Sequence, residues 1–514
     1  MKKKLYIEST FLIFLGIATS LSLPPLNFWI INFFVFTSFF IFLTKKANQH
    51  KNKKFFFFYG WLFGFGYFLS NLYWISISLT FDQNFKFLIP VTIILIPAFL
   101  SLFYGLITFF FIIIKHKNYL SSLLIFSLIF GIFEFIRGSI LTGFPWNLVV
   151  YSLSNQLEIL SIISIIGTYG LNLFCISFFA CPALLILNRT KINLFACILL
   201  STIIIFFYIF GHSYEKKFNS VKKEKYDYKI RIIGSNISLD RFYHNIDTVS
   251  VIKDLIKISK PDINEKTIFV WPEGIISNIN EGDLSEYKWL FEEKFNQNHL
   301  FIIGINNQYE KNGSIDYFNS FSVFDHKLKI LNNYNKINLV PFGEFLPLEN
   351  FFSNLGLKSL TNNYQSFSSG VKRDIIKLSK KDFSINILPL ICYEIIYPGK
   401  LFNNYNFDLI INISEDGWFG QSVGPKQHFV HSIFRAIESG KYVVRSSNNG
   451  IAAIVNSIGQ TQKSVKFGQS GYVDLKDYKK IQPTIFSKYG NKIFGLLILL
   501  YIFLIFSFNK IRDE

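Results

Sequence analysis

A single thiol stands at the end of a β-rich apolar run, Phe383-Ser-Ile-Asn-Ile-Leu-Pro-Leu-Ile-Cys392, and the chain turns polar directly after it at Tyr393-Glu394. Cys392 is the only cysteine after residue 211; Cys175, Cys181 and Cys197 all lie in hydrophobic segments. A thiol at a strand end, followed by a break at Pro398-Gly399, suits a nucleophile on a sharp turn whose backbone N–H groups face a substrate oxygen. The competing reading is a buried structural cysteine, since free cysteine is among the most buried residue types. Two further segments favour the first. Val270-Trp-Pro-Glu273-Gly274 puts a carboxylate just past an apolar run. Tyr334-Asn-Lys336, followed by Val340-Pro-Phe-Gly-Glu344, gives a lysine and a second carboxylate; Glu394 is the third. A thiol with a pKa near ~8.5 needs a base or a cation to attack at neutral pH. A developing oxyanion needs positive charge, which a lysine supplies.

The elements that must position these groups read as alternating β and α. Strands are predicted over 229–237, 267–271, 300–306, 318–324, 383–391, 407–413 and 442–445, several of them apolar throughout, as strands covered on both faces are. Helices are predicted over 245–259, 285–296 and 425–439, the last opening with Pro425 and stopping at Gly440. Asn448-Asn449-Gly450 reads as a turn between strands.

The rest of the chain is of another kind. Of 514 residues, half are hydrophobic and 62 are Phe, which is too apolar for one soluble domain. The apolar residues crowd into the first 210 positions and the last 25. Runs long enough to cross a bilayer, about 20 residues each, occur at roughly 5–23, 26–43, 55–79, 87–114, 120–140, 159–187, 192–210 and 493–508. This divides the chain into a helical membrane part over 1–212, an α/β domain over 213–490 and a last span with its tail over 491–514. The formal net charge of +18 first suggests nucleic acid, but the conspicuous lysine clusters flank membrane segments. Lys2–Lys4, the cluster from Lys45 to Lys54, Lys115 with Lys117, and Arg189 with Lys191 fall at alternate connections. This positive-inside pattern places both termini in the cytoplasm and the 213–490 domain on the far side. The first run also has the look of a secretory signal, and we read it as a retained helix. A lone thiol in an oxidising compartment is either well buried or kept for its reactivity.

Glu273, Lys336 and Cys392 in that order, within WPEG, VPFGE and ICYE and with the downstream Asp416-Gly-Trp418-Phe-Gly420, resemble the Glu–Lys–Cys set of the nitrilase, or carbon–nitrogen hydrolase, superfamily. Joined to this helical part, the chain resembles the apolipoprotein N-acyltransferases of the bacterial inner membrane. Phe130-Gly-Ile-Phe-Glu134-Phe-Ile-Arg137-Gly138, Thr142-Gly-Phe-Pro-Trp146 and Arg445-Ser-Ser-Asn-Asn-Gly450 add to the likeness, which runs nearly end to end. The resemblance implies an αββα sandwich carried on about eight transmembrane helices, with the catalytic domain in the periplasm. It implies Glu273 as base, Lys336 as oxyanion partner and Cys392 as nucleophile. Glu344, Glu394, Tyr393 and Trp418 are then supporting residues. It further implies a phospholipid acyl donor, a thioester intermediate and a diacylated apolipoprotein acceptor, with no cofactor, no metal and no nucleic acid. Two stretches depart from the family's usual pattern. One is Gly234-Ser-Asn-Ile237 followed by Phe242-Tyr243; the other is Ser414-Glu-Asp-Gly-Trp418, where the second residue is ordinarily Asn.

Other features bear on a lipid substrate. Residues 345–360 carry Phe351, Phe352 and several leucines, and read either as an apolar arm reaching acyl chains or as an insertion packed on the core. Arg137, at the outer end of its span, is a candidate for a lipid phosphate, for pairing with Glu134, or for snorkelling. His428 and His431, at i and i+3 without a third ligand nearby, do not make a metal site. A membrane-tethered amidase acting on a soluble amide is the alternative enzyme, although such a substrate needs neither the spans nor the arm. A transporter with an extracytoplasmic binding domain is disfavoured by the scarcity of charge within the spans.

Overall fold

A computed structural model of the chain describes residues 2–49, 52–243, 246–311, 313–347, 366–380, 383–401 and 404–510. It forms two compact units: one of Met1–Lys217, Pro398–Lys400 and Thr484–Glu514, the other of Phe218–Tyr397 and Leu401–Pro483.

The first unit is a helical bundle. Helices stand at all eight places expected from the sequence, and six are long and apolar enough to cross a membrane: Lys54–Thr80, Gln83–Ile114, Tyr119–Arg137, Ile163–Leu187, Lys191–Ser220 and Lys492–Asn509. The other two, Lys2–Ser20 and Ile31–Ala47, fall short for a simple reason: the first carries Lys2, Lys3, Lys4 and Glu8, and the second has only 17 residues. Phenylalanine fills the interior. Phe39 stacks on Phe63 at 4.2 Å between ring centroids, and Phe126 meets Phe39, Phe40, Phe111 and Phe130 edge-on. Helices Lys2–Ser20 and Lys54–Leu72 cross where neither has a side chain. A Cβ on Gly16 would lie 2.1 Å from the Phe63 carbonyl oxygen, and one on Gly66 2.3 Å from that of Ile13.

The second unit is α/β, as expected. Its strands are β1 (Glu224–Ser235), β2 (Thr267–Val270), β3 (Ile276–Asn280), β4 (His299–Lys311), β5 (Ser314–Asp325), β6 (Ile330–Asn335) and β7 (Ile376–Lys380), then β8 (Phe383–Ile391), β9 (Leu409–Glu415), β10 (Tyr442–Asn448), β11 (Ala452–Val455), β12 (Thr461–Val465) and β13 (Gly471–Tyr478). They hydrogen-bond in the order β6-β5-β4-β2-β1-β10-β9-β8-β7. The two halves of this array meet where Gly234 and Ser235 pair with Ser447 and Asn448, at the ends of β1 and β10. Helix Thr248–Ser259 covers the first half, its Val251, Ile252, Leu255 and Ile256 packing with Ile233, Phe269, Trp271 and Phe301. Helix Gly424–Ser439 stops at Gly440 in the left-handed region. The predicted helix over 285–296 is shorter than expected: a 3₁₀ turn, Asp283–Tyr287, leads into Lys288–Glu292. No side chain caps its start, and Phe295 lies beyond its end, packed edge-on to Phe269 and Phe301.

Candidate active site

The three expected reactive residues each follow the end of a strand: Glu273 after β2, Lys336 after β6 and Cys392 after β8. Parallel pairing of β2 with β4 and of β8 with β9 gathers strand ends on one side, where α/β folds place their sites. Lys336 Nζ donates to Glu273 Oε1 at 3.0 Å and to Glu344 Oε1 at 2.9 Å. Asn319 Nδ2, from β5, donates to the same two oxygens at 2.7 Å each. Glu273 Oε2 accepts from the Glu415 backbone N–H at 2.9 Å, and Glu344 Oε2 from that of Val340 at 2.8 Å. Lys336 is 1% exposed. Burial works against its charge, but Glu273 and Glu344, with Cys392, outweigh it and hold the ammonium well above the ordinary lysine range. The site therefore keeps a fixed buried cation.

Cys392 is buried and has a φ of +47°. A non-glycine residue there is strained by about 1–3 kcal/mol, and the neighbours hold it. Its carbonyl oxygen faces Asn412 Nδ2 at 3.4 Å and His428 Nε2 at 3.3 Å. Burial pushes the thiol well above its usual range; the Glu273 carboxylate pushes it further, Lys336 pulls it back, Asp416 raises it, and a hydrogen bond with Ser414 lowers it. The net direction is up, so the resting sulfur is a thiol rather than a preformed thiolate. Attack then requires a base at the moment of reaction, and the adjoining carboxylate is Glu273.

Glu394 does a different job. Burial opposes its ionisation, yet Arg373 and the surrounding donors hold its carboxyl below the usual range. Oε1 accepts from Tyr334 Oη at 2.6 Å, from Arg373 Nη2 at 2.6 Å and from the backbone N–H groups of Ile337 and Asn338; Oε2 accepts from the Ile391 N–H at 2.9 Å. One carboxylate thus ties the segment after Lys336 to the residue before Cys392. Tyr393 packs edge-on against Tyr397. Trp418 lies 5.2 Å from the Phe242 ring and 6.3 Å from that of Tyr243.

Arg137 takes one of its three readings, the pairing with Glu134. It is 2% exposed inside the bundle. Its Nε donates to Glu134 Oε2 at 2.9 Å, its Nη2 also reaches Glu134, and its Nη1 reaches the Phe144 carbonyl. Tyr104 Oη completes the cluster by donating to Glu134 Oε1 at 2.7 Å. A guanidinium this occupied is an internal partner for Glu134, not a lipid-phosphate contact. Phe351 and Phe352, with most of the 345–360 arm, lie outside the described residues.

The sequence reading missed Asn319, Arg373 and the pairing of Glu415. Asn319 is one of three polar residues, with Ser320 and Ser322, in the predicted strand Phe318–Phe324, and nothing local sets it apart. Glu415, at the position noted as a departure, is fully buried, pairs with Arg241 and accepts from Asn448 Nδ2 at 2.6 Å and from the Gly417 N–H at 2.8 Å.

An α/β sandwich that gathers a thiol, a buried lysine and carboxylates at its strand ends, carried on a bundle of apolar helices, defines a membrane-bound carbon–nitrogen-hydrolase-type enzyme. Residues 264–476 match the carbon-nitrogen hydrolase family, and residues 15–182 match the apolipoprotein N-acyltransferase N-terminal domain. The apolipoprotein N-acyltransferase of Rickettsia prowazekii (strain Madrid E) is 31% identical over 99% of this chain and 100% of its own length. That of Rhodopseudomonas palustris (strain ATCC BAA-98 / CGA009) is 30% identical over 95% of this chain and 93% of its own. The chain belongs to the apolipoprotein N-acyltransferase family and is a multi-pass membrane acyltransferase.

Proposed function

We propose that the protein transfers a fatty acyl chain from a membrane phospholipid, through a thioester on Cys392, to the N-terminal amine of a diacylated apolipoprotein. The observation that carries this is the buried Lys336 ammonium fixed between Glu273 and Glu344 beside a protonated thiol. Glu273 takes the proton as the sulfur attacks the ester carbonyl. The oxyanion draws on Lys336, the ester C–O bond breaks, and the lysophospholipid oxygen leaves with the proton from Glu273. In the second half the amine attacks the thioester and gives its proton to Glu273, the C–S bond breaks, and the thiol is restored. A thioester suits this exchange because it reacts more readily with amines than the ester it came from. In this reading Glu344, Glu394 and Tyr393 orient the reacting groups, and Trp418 with Phe242 and Tyr243 forms an aromatic wall beside them. The site faces the periplasm of a bacterial inner membrane, in line with the loop charges.

The direct test supplies purified protein with acyl-labelled phospholipid and a diacylated lipopeptide. Label in an amide at the lipopeptide N-terminus is expected. Hydrolysis of soluble amides without transfer would put the tethered amidase in its place.

A second expectation needs no change in any ionisable group. A Cβ on Gly304 of β4 would lie 2.4 Å from Glu273 Cα and 2.5 Å from the Pro272 carbonyl oxygen. Both are backbone contacts, so Gly304→Ala must displace Glu273. A shift near 1 Å can cost about 10²-fold in rate, and overpacking costs about 1–3 kcal/mol in stability. Transfer rate and thermal midpoint should fall together; an unchanged rate would show that Glu273 need not be held so closely.

A further inference from the structure

We propose that Arg445 is a positioning residue for the nucleophile, acting through Asn412, whose amide Nδ2 faces the Cys392 carbonyl oxygen. The inference rests on Cys392 being the nucleophile and adds what holds its turn.

All four side chains behind the turn are fully buried: Asn412, Asp416, His428 and Arg445. Asn412 and Arg445 lie on the adjacent strands β9 and β10, directly paired in register. Arg445 Nη1 donates to Asn412 Oδ1, which turns the amide Nδ2 toward the carbonyl oxygens of Leu390 at 3.3 Å and Cys392 at 3.4 Å. Arg445 Nη2 lies 3.0 Å from His428 Nδ1, while His428 Nε2 lies 3.3 Å from the Cys392 oxygen. Nδ1 also lies 2.9 Å from Asp416 Oδ1, which only accepts, so Arg445 alone does not set the imidazole tautomer. Burial and the Arg445 charge lower His428, Asp416 and the bond to the Cys392 carbonyl raise it, and the net direction is down. Asp416 balances the guanidinium, accepting from Nη2 at 2.9 Å on Oδ1 and 2.8 Å on Oδ2, and its Oδ1 also accepts from Ser414 Oγ at 2.7 Å. The guanidinium therefore sets the amide orientation of Asn412. That amide acts on the carbonyl of a residue whose φ is +47°. With that carbonyl turned inward, the sulfur is presented on the opposite side of the turn.

The test is the rate at which Cys392 takes an acyl group from phospholipid, read by intact mass with the acceptor withheld. No loading of the unmodified protein would remove the nucleophile reading itself, an outcome distinct from those that follow. Asn412→Asp keeps an acceptor for Arg445 but sets an acceptor against the carbonyl; loading is expected to slow by about 10²-fold, with the donor concentration for half-maximal rate unchanged. Arg445→Met removes the donor to Asn412 Oδ1 and should slow loading likewise. Asn412→Leu lacks the amide altogether and decides the matter if the other two do not fold. Wild-type loading in a folded variant of any of the three would overturn the proposal. A loss confined to donor affinity would overturn it too.

Discussion

Glu273→Gln is expected to lower acyl transfer by about 10²–10⁴-fold, the range for losing a positioned general base, while the protein remains folded. Cys392 is held protonated by burial and by the neighbouring carboxylate, so the sulfur cannot attack until a base removes its proton. Glutamine preserves the shape of the side chain and an oxygen for either Lys336 or the Glu415 N–H, but it cannot take a proton. The loss should appear in both half-reactions, because in the proposed reaction the same carboxylate serves the thiol first and the amine second. Separate measurement of acyl loading and acyl discharge checks this. Loading within tenfold of the unmodified protein would assign the base elsewhere.

Lys336→Met should be at least as severe for activity and should also cost stability. Removing one oxyanion donor typically costs about 10²–10³-fold. Breaking a buried ion pair by deleting one partner costs about 3–5 kcal/mol, because the remaining charges stay buried. Here two remain, Glu273 and Glu344, both bonded to the same Nζ and joined after its removal only by Asn319. The sign of the pH effect follows. In the unmodified protein the folded pKa of Lys336 lies above its unfolded value, so its contribution is fully present below about pH 10 and is constant across neutral pH. The gap in thermal midpoint between the two proteins should therefore hold across neutral pH and narrow only as pH rises above about 10. A gap that closed between pH 6 and pH 8 would contradict a cation held this firmly. Loss of Glu273, Lys336 and Cys392 together should be little worse than the worst single change, as the proposed joint action of the three requires.

The sequence carried Lys336, after Asn-Asn-Tyr-Asn, by its place in the family motif, and Glu273 and Cys392 because each follows an apolar run, where a polar residue stands out. It carried the α/β domain for the same reason: β2, β8 and β9 are buried along most of their length. What it could not show depends on chain segments far apart. Arg241 meets Glu415 across 174 positions, and Arg445 meets Asn412 across 33. Neither spacing has a local signature. Strands β6 and β12 escaped notice because Ile-Leu-Asn-Asn-Tyr-Asn and Thr-Gln-Lys-Ser-Val lie mostly exposed and show no sustained apolar alternation. Arg137 had three readings that differ only in what surrounds the guanidinium, and Glu134 one turn away settled them. His428 was visible as a metal candidate by its i, i+3 spacing with His431. Its ring instead faces the backbone of Cys392, a relation no spacing rule contains.

The central claim is a covalent acyl-enzyme formed before the amine arrives. Purified protein incubated with phospholipid alone, then analysed by intact mass and by mass spectrometry of the peptide containing Cys392, tests it most directly. One fatty acyl group should appear on that peptide, neutral hydroxylamine should remove it, and a diacylated lipopeptide should discharge it into N-acylated product. An apolar site that keeps water from the thioester allows it to accumulate. If protein shown to be active never carries the acyl group on Cys392, even in a single turnover with acceptor withheld, transfer does not pass through this thiol.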